Sequence, residues 1–331
     1  MVIFIDIIII VRYNSNINRK GGFVMLDLYF AGQVTDHVDK CLFDMGANHL
    51  FSYLNERKNI DRWIGWINQY GRKGKLFIDS GAFTAWTKGT YINVDDYVYF
   101  LNDRVQYIDL FGQLDCIPGN IRQKPTQAQV LDAAVKTWKN YLYMRDAVLN
   151  KDGLLYTFHV GEPIWCLRRA LEWRDENGQP LKYIALGGMV GKPKDVQKNF
   201  LSLCFDIIKS SSNPNVKVHA FGMTVRKTLV QYPVTSADSS SWIQSGHNGA
   251  IYTPWGTIII SAQQKDKMAH PLNGSAVALE DLKSYIKSKN FDFEQLMEDY
   301  VQRDLWNVTF LMDWAKEYTY QGGKIIRRRL F

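Results

Sequence analysis

The feature that most constrains this chain is an alternation of short apolar runs with longer amphipathic stretches, repeated eight times between Leu26 and Ala237. Such alternation builds βα units, whose strands pair in parallel and whose helices cover the sheet. The expected strands are Leu26–Ala31, Cys41–Asp44, Leu76–Asp79, Tyr107–Leu114, Leu154–His159, Tyr183–Leu186, Lys217–Phe221 and Val234–Ala237. Helical periodicity fills most of the intervals, over Ile60–Tyr70, Val94–Arg104, Thr126–Leu149, Ile164–Trp173, Pro193–Lys209 and Val225–Gln231. Eight units point to an α/β fold of the (β/α)8 TIM-barrel type. A doubly wound open sheet is the alternative. Against it, the first strand is followed by no Gly-x-Gly-x-x-Gly, and the chain has no phosphate-binding Gly-Lys-Ser/Thr loop.

Past Asp238 the texture changes. Ser245–Gly249 reads as a turn, flanked by Tyr252–Gly256 and the β-branched run Thr257–Ile260, which together suggest a small hairpin insertion near the barrel mouth. Helical stretches over Leu279–Lys289 and Phe293–Tyr318 follow, then a basic tail with Lys324 and Arg327-Arg328-Arg329. The expected organisation is a non-native or disordered extension over 1–24, a barrel over 25–245, and a hairpin, C-terminal helices and basic tail over 246–331 packed on the barrel. Met25 is the expected true start, because Arg19-Lys20-Gly21-Gly22 can be encoded by a purine-rich stretch resembling a bacterial ribosome-binding site.

A hydrophobic content of 46% with 22% charge describes a globular chain rather than a disordered one. The run Ile7-Ile8-Ile9-Ile10 is too short to cross a bilayer, and no signal peptide is recognisable, so no membrane association is expected. A net charge of +7 suits a polyanionic partner, since Lys and Arg neutralise phosphates without regard to sequence. Ten Trp and 18 Tyr supply core and also ring surfaces of the kind that stack on bases. The cysteines at 41, 116, 166 and 204 are widely spaced, which gives no zinc knuckle and no disulfide framework and suits reduced thiols in a cytoplasm.

Chemistry-bearing residues recur at the ends of the expected strands, where a parallel barrel gathers its reactive groups. Asp79 precedes Ser80-Gly81-Ala82, small residues that let a flat ligand approach the backbone. Asp115 can accept from a guanine's ring N–H and amine. His159-Val160-Gly161-Glu162 offers a base-edge contact or an acid/base group. Gly187 and Gly188 expose backbone groups, and Met189 offers an adaptable apolar face. His219 to Thr224 close the seventh strand. Asp238, with Ser236, Ser239, Ser240, Ser241 and Trp242 around it, closes the eighth. Each is also open to a plainer reading as a cap, turn or core residue.

Taken in order, these motifs resemble the tRNA-guanine transglycosylase superfamily. The matching pieces are Asp79-Ser80-Gly81-Ala82-Phe83, Asp115, Leu186-Gly187-Gly188-Met189, Phe221-Gly222-Met223 and Asp238, and the resemblance runs from about Leu26 to Trp242. It implies a (β/α)8 barrel that exchanges a guanine in nucleic acid for a 7-deazaguanine. On that resemblance Asp238 is the nucleophile and Asp79 the general acid/base. Asp115, His159, Gly187, Gly188 and Met189 bind the base, with Ser80 and Phe83 of the first motif joining them. No metal or cofactor is implied for this chain. The tRNA enzymes' Cys-x-Cys-x-x-Cys…His zinc site has no counterpart, Val160-Gly161 stands where they carry Gln-Gly, Ala82 replaces a glycine, and Asp238 is followed by Ser-Ser-Ser-Trp. These departures make the chain more similar to the DNA-acting branch, the DpdA-like 7-deazaguanine DNA transglycosylases of bacteria and phages. The expected partners are then DNA and a 7-deazaguanine base, in a bacterial or phage-infected host cytoplasm. A tRNA substrate, a catalytically inactive nucleic-acid-binding barrel and a hydrolase or lyase acting on a small metabolite are the alternatives.

Overall fold

The computed structural model describes residues 26–120, 123–261 and 277–318. The expected start at Met25, the extension before it and the basic tail lie outside the described residues. Eight strands close into an all-parallel barrel in chain order: β1 (Asp27–Ala31), β2 (Asn48–Ser52), β3 (Leu76–Asp79), β4 (Leu110–Gly112), β5 (Leu154–His159), β6 (Tyr183–Gly187), β7 (Lys217–Ala220) and β8 (Ser236–Ser239). β8 returns to β1, with Tyr29 opposite Asp238. The fold is a (β/α)8 TIM barrel.

Its helices are α1 (Asp36–Asp44), α2 (Arg57–Tyr70), α3 (Ala82–Lys88), α4 (Val94–Asp103), α5 (Gln127–Ala147), α6 (Ile164–Glu172), α7 (Lys194–Ser210), α8 (Arg226–Leu229) and α9 (Ser241–His247). Each strand alternates its side chains between two cores. Leu76 and Ile78 join the large core beneath the helices, whereas Phe77 joins an interior core with Tyr29, Leu50, Leu155, Tyr183 and Ala185. The same parity sends Asp79, His219 and Asp238 inward, above that apolar floor.

The second strand is not Cys41–Asp44. Val38, Leu42 and Phe43 recur at helical spacing, all at most 2% exposed, and the Thr35 side chain accepts from Val38 N–H to cap α1. A nine-residue amphipathic period outweighs a four-residue apolar run. The true strand, Asn48–Ser52, looked too polar, yet His49 is fully buried against Phe51 and Trp63, and burial lowers its pKa to about 3. The fourth strand spans three residues of the expected eight, and the eighth begins and ends two residues later than expected, which puts Asp238 inside it.

Residues 245–249 are the end of α9 and its exit, not a hairpin turn. The hairpin is β9 (Ala250–Thr253) with β10 (Gly256–Ile259), turning at Pro254-Trp255. Arg226, in the β7–β8 connection, donates to Thr253 O (3.3 Å), so the hairpin stands beside that connection. Three helices follow: α10 (Leu279–Ser288), α11 (Phe293–Glu298) and α12 (Tyr300–Lys316). The single expected helix over Phe293–Tyr318 breaks at Asp299, whose side chain caps α12 by accepting from Val301 N–H (2.8 Å). Val308 and Leu311 of α12 enter the large core, and Asn307 donates to Trp242 O and Ala250 O, binding helix, hairpin and barrel together. No helix among the described residues is long and apolar enough to cross a membrane.

Candidate active site

Three carboxylates meet at the C-terminal end of the barrel. Asp79 ends β3 opposite Ser52, and its Oδ2 accepts from Gly81 N–H (2.9 Å). Gly81 adopts φ +81°, and a Cβ there would lie 2.6 Å from Ser52 Oγ, so the position needs glycine on both counts. The Asp79 pKa is raised to about 6, first by burial and then by the charges of Asp115 and Asp238, against the opposing bond from Gly81. Asp115 and Asp238 are thus near enough for their charges to act on Asp79. Tyr97 of α4 donates to Gly112 O (2.9 Å) and Ile78 O (3.3 Å), tying together the strands that carry Asp79 and lead to Asp115.

Asp238 lies within β8 and is 7% exposed. Its Oδ1 accepts from Gly222 N–H (2.9 Å) and contacts His219 Nε2 (3.1 Å). Oδ2 has no hydrogen-bond partner among the described residues, and the side chain keeps 10% of its surface open. One oxygen is thus anchored and the other is left for a ligand. Behind His219, Nδ1 meets Ser236 Oγ (2.6 Å), which meets Tyr183 OH (2.7 Å). The imidazole is packed between Phe77 and Phe221, with ring centroids 4.8 and 4.5 Å away.

Asp115 lies three residues past β4, and both of its oxygens are engaged. Gln113 Nε2 donates to Oδ1 (3.0 Å), and His159 Nε2 lies 3.2 Å from Oδ2. The other ring nitrogen of His159 meets Glu162 Oε1 at 3.0 Å. Burial opposes charge on this ring, but the two carboxylates overcome it and hold the His159 pKa well above its ordinary value. His159 and Glu162 are thus bonded to one another. Gly187 makes the arrangement possible, because a Cβ there would lie 2.9 Å from His159 Cδ2.

The remaining expected residues divide. Gly188 is exposed, so its backbone is open to a ligand. Ser80 is 1% exposed, and its Oγ accepts from Ala82 N–H (3.3 Å) in the turn that leads into α3. Met189 is 1% exposed and packs in the large core, so its side chain offers no open face. Phe83 is 67% exposed and lies with Trp86, Ile117, Pro118 and Lys124 along a cleft of about 400 Å3 that none of the three carboxylates lines. Of the serines near Asp238, Ser239 accepts from Ser241 N–H (2.9 Å), and Ser241 Oγ meets Thr224 Oγ1 (2.9 Å); both fasten loops.

From the sequence, His219 is placed only as the end of the seventh strand, with no role of its own, and Gln113 is not expected in the site. Strand parity was the available signal for His219, which sits two residues before the inward-facing Phe221. Gln113 carried none, because its bond to Asp115 depends on how the chain turns after β4. Among the described residues, no group of His, Cys, Asp and Glu is placed to hold a metal ion. The four cysteines are unpaired.

Fold and site together define a (β/α)8 barrel whose mouth gathers three carboxylates. Compared with known proteins, the chain matches no family model and no curated protein.

Proposed function

We propose that this protein is a base-exchange glycosyltransferase that replaces guanine in DNA with a 7-deazaguanine derivative through a covalent Asp238-linked glycosyl intermediate. The observation that carries the reading is the pairing of Asp79, an acid with a pKa of about 6, with Asp238, whose Oδ2 is left free at the same mouth. Two carboxylates, one able to hold a proton near neutrality and one positioned by its other oxygen, form the equipment of a double displacement at an anomeric carbon.

In the first displacement Asp238 Oδ2 attacks C1′ of the target nucleotide. The C1′–N9 bond breaks, its electron pair leaves with guanine, and guanine takes the proton from Asp79. In the second, the incoming base gives its N9 proton to Asp79 as N9 attacks C1′, and the C1′–Oδ2 pair returns to Asp238. Two inversions restore the starting stereochemistry. Asp115, with His159 behind it, and the exposed Gly188 backbone are suited to the polar edge of the base, whereas Gly187 is buried in β6 with its carbonyl accepting from Val160 N–H (3.1 Å). Glycosidic bonds in a duplex are reached by flipping the nucleotide out, at a cost of roughly a few kcal/mol.

Lysines around the reactive face suit a nucleic-acid substrate. Lys58, Lys88, Lys124, Lys192, Lys194 and Lys227 all lie on connections that leave the C-terminal strand ends, and among the described residues none forms an ion pair. At the other end of the barrel, just ahead of strands, Lys73, Lys75 and Lys182 are paired with Asp44, Asp27 and Asp152, whereas Lys151 and Lys217 form no ion pair among the described residues. Unpaired cations on the reactive face supply phosphate affinity where it is needed.

The test is incorporation of labelled 7-deazaguanine into matched DNA and tRNA, read by mass spectrometry of the released nucleosides. Label in DNA that is lost with Asp238→Ala supports the reading. Label in tRNA alone moves the substrate to tRNA. Salt-sensitive binding without incorporation into either makes the barrel a binding protein.

A further inference from the structure

We propose that His219 is a positioning residue that governs how readily Asp238 leaves in the second displacement, and that Ser236 and Tyr183 lock it in the one tautomer that can do so. This rests on the base-exchange reading above. His219 is fully buried, its ring clamped by Phe77 and Phe221, so it touches neither solvent nor the incoming base and acts through Asp238.

The hydrogen-bond chain has a direction. Asp238 Oδ1 already accepts from Gly222 N–H, so a neutral imidazole is compatible with it only as an Nε2–H donor. Nδ1 must then accept, and Ser236 Oγ at 2.6 Å is the group that can donate to it. Ser236 in turn accepts from Tyr183 O–H at 2.7 Å. The opposite polarity would point an imidazole lone pair at the Asp238 carboxylate. Every donor in the line Tyr183–Ser236–His219–Asp238 therefore points toward the mouth.

This polarity matters most when the glycosyl ester breaks. As the incoming N9 bonds to C1′ and the C1′–Oδ2 bond opens, the electron pair spreads over both oxygens of Asp238. Two N–H groups already await the charge at Oδ1, an arrangement that stabilises a developing oxyanion without reorganisation. In the first displacement that charge is being lost, so the same donors help less. Removing His219's donor is therefore expected to slow ester breakdown more than ester formation.

The experiment follows the covalent DNA–protein adduct in quenched single turnovers, with formation timed before the incoming base is added and breakdown after. His219→Phe keeps a ring without a donor, and His219→Gln places an amide N–H near the lost Nε2. The expected result is breakdown slowed on the order of 100-fold in His219→Phe, with the adduct accumulating. His219→Gln should recover most of that loss, and Ser236→Ala should slow the same step mildly. If His219→Phe does not fold, His219→Gln and Ser236→Ala still read the effect. In wild-type protein, 15N shifts of labelled histidine should show His219 protonated at Nε2 alone. Equal breakdown rates in all variants, equal slowing of both steps, or an Nδ1–H tautomer overturns the proposal. A wild-type protein that exchanges no base and forms no adduct refutes the base-exchange reading itself, whereas the tautomer measurement stands apart from that outcome.

Discussion

Replacing Asp79 with Asn is expected to make the protein more stable at neutral pH while ending the base exchange proposed for it. Asp79 has its pKa raised from an ordinary 3.8 to about 6, by burial and by the nearby Asp115 and Asp238 charges. Because the folded pKa lies above the unfolded one, the fold favours the protonated acid, and ionising it works against folding. That penalty is absent below about pH 3.8, grows through about pH 6 and is constant above. At ~1.4 kcal/mol per tenfold change in proton affinity, the rise amounts to ~3 kcal/mol. Asn carries no charge, and its Oδ1 can still accept from Gly81 N–H, so between about 1 and 3 kcal/mol should appear as added stability at about pH 7.5. Urea unfolding of both proteins at about pH 4 and about pH 7.5, compared at equal m, measures it. Their stabilities should nearly coincide at the lower pH and separate at the higher. A gap that ignores pH, or a wild-type protein that is the more stable at the higher pH, would refute the reasoning.

Other predictions follow from the same geometry. Gly187→Ala puts a methyl group 2.9 Å from His159 Cδ2, and because two carboxylates hold that ring the change should cost about 1–3 kcal/mol in thermal unfolding and weaken base binding. His159→Gln should destabilise the protein most below about pH 6.5, with the loss shrinking as pH rises through the elevated pKa of His159, as a series of melting curves would show. Lys124→Gln and Lys192→Gln should weaken binding to unrelated DNA sequences alike, each lowering the slope of log affinity against log salt by about 1.

Much of the barrel was legible in the sequence because buried parallel strands are short, nearly continuous apolar runs. Leu154–His159 and Leu76–Asp79 appear where that pattern put them. Asn48–Ser52 was not legible, because burial of His49 depends on Trp63 of α2, which only the folded chain brings alongside it. The two catalytic candidates were readable from their places at strand ends, since period-two alternation turns both toward the interior. The environment of each group was not. Commitment of Asp115 to Gln113 and His159, burial of Met189 and exposure of Phe83 depend on how loops and short helices settle over the barrel. A local motif does not encode that.

The most direct test is to find where the sugar goes. With the incoming base withheld, the protein is incubated with a guanine-containing DNA duplex, quenched in denaturant and digested, and its peptides are weighed. A deoxyribose-linked adduct on the peptide containing Asp238, absent from Asp238→Ala, is the predicted result. Base exchange that proceeds with no adduct, or with the sugar on another residue, would contradict it.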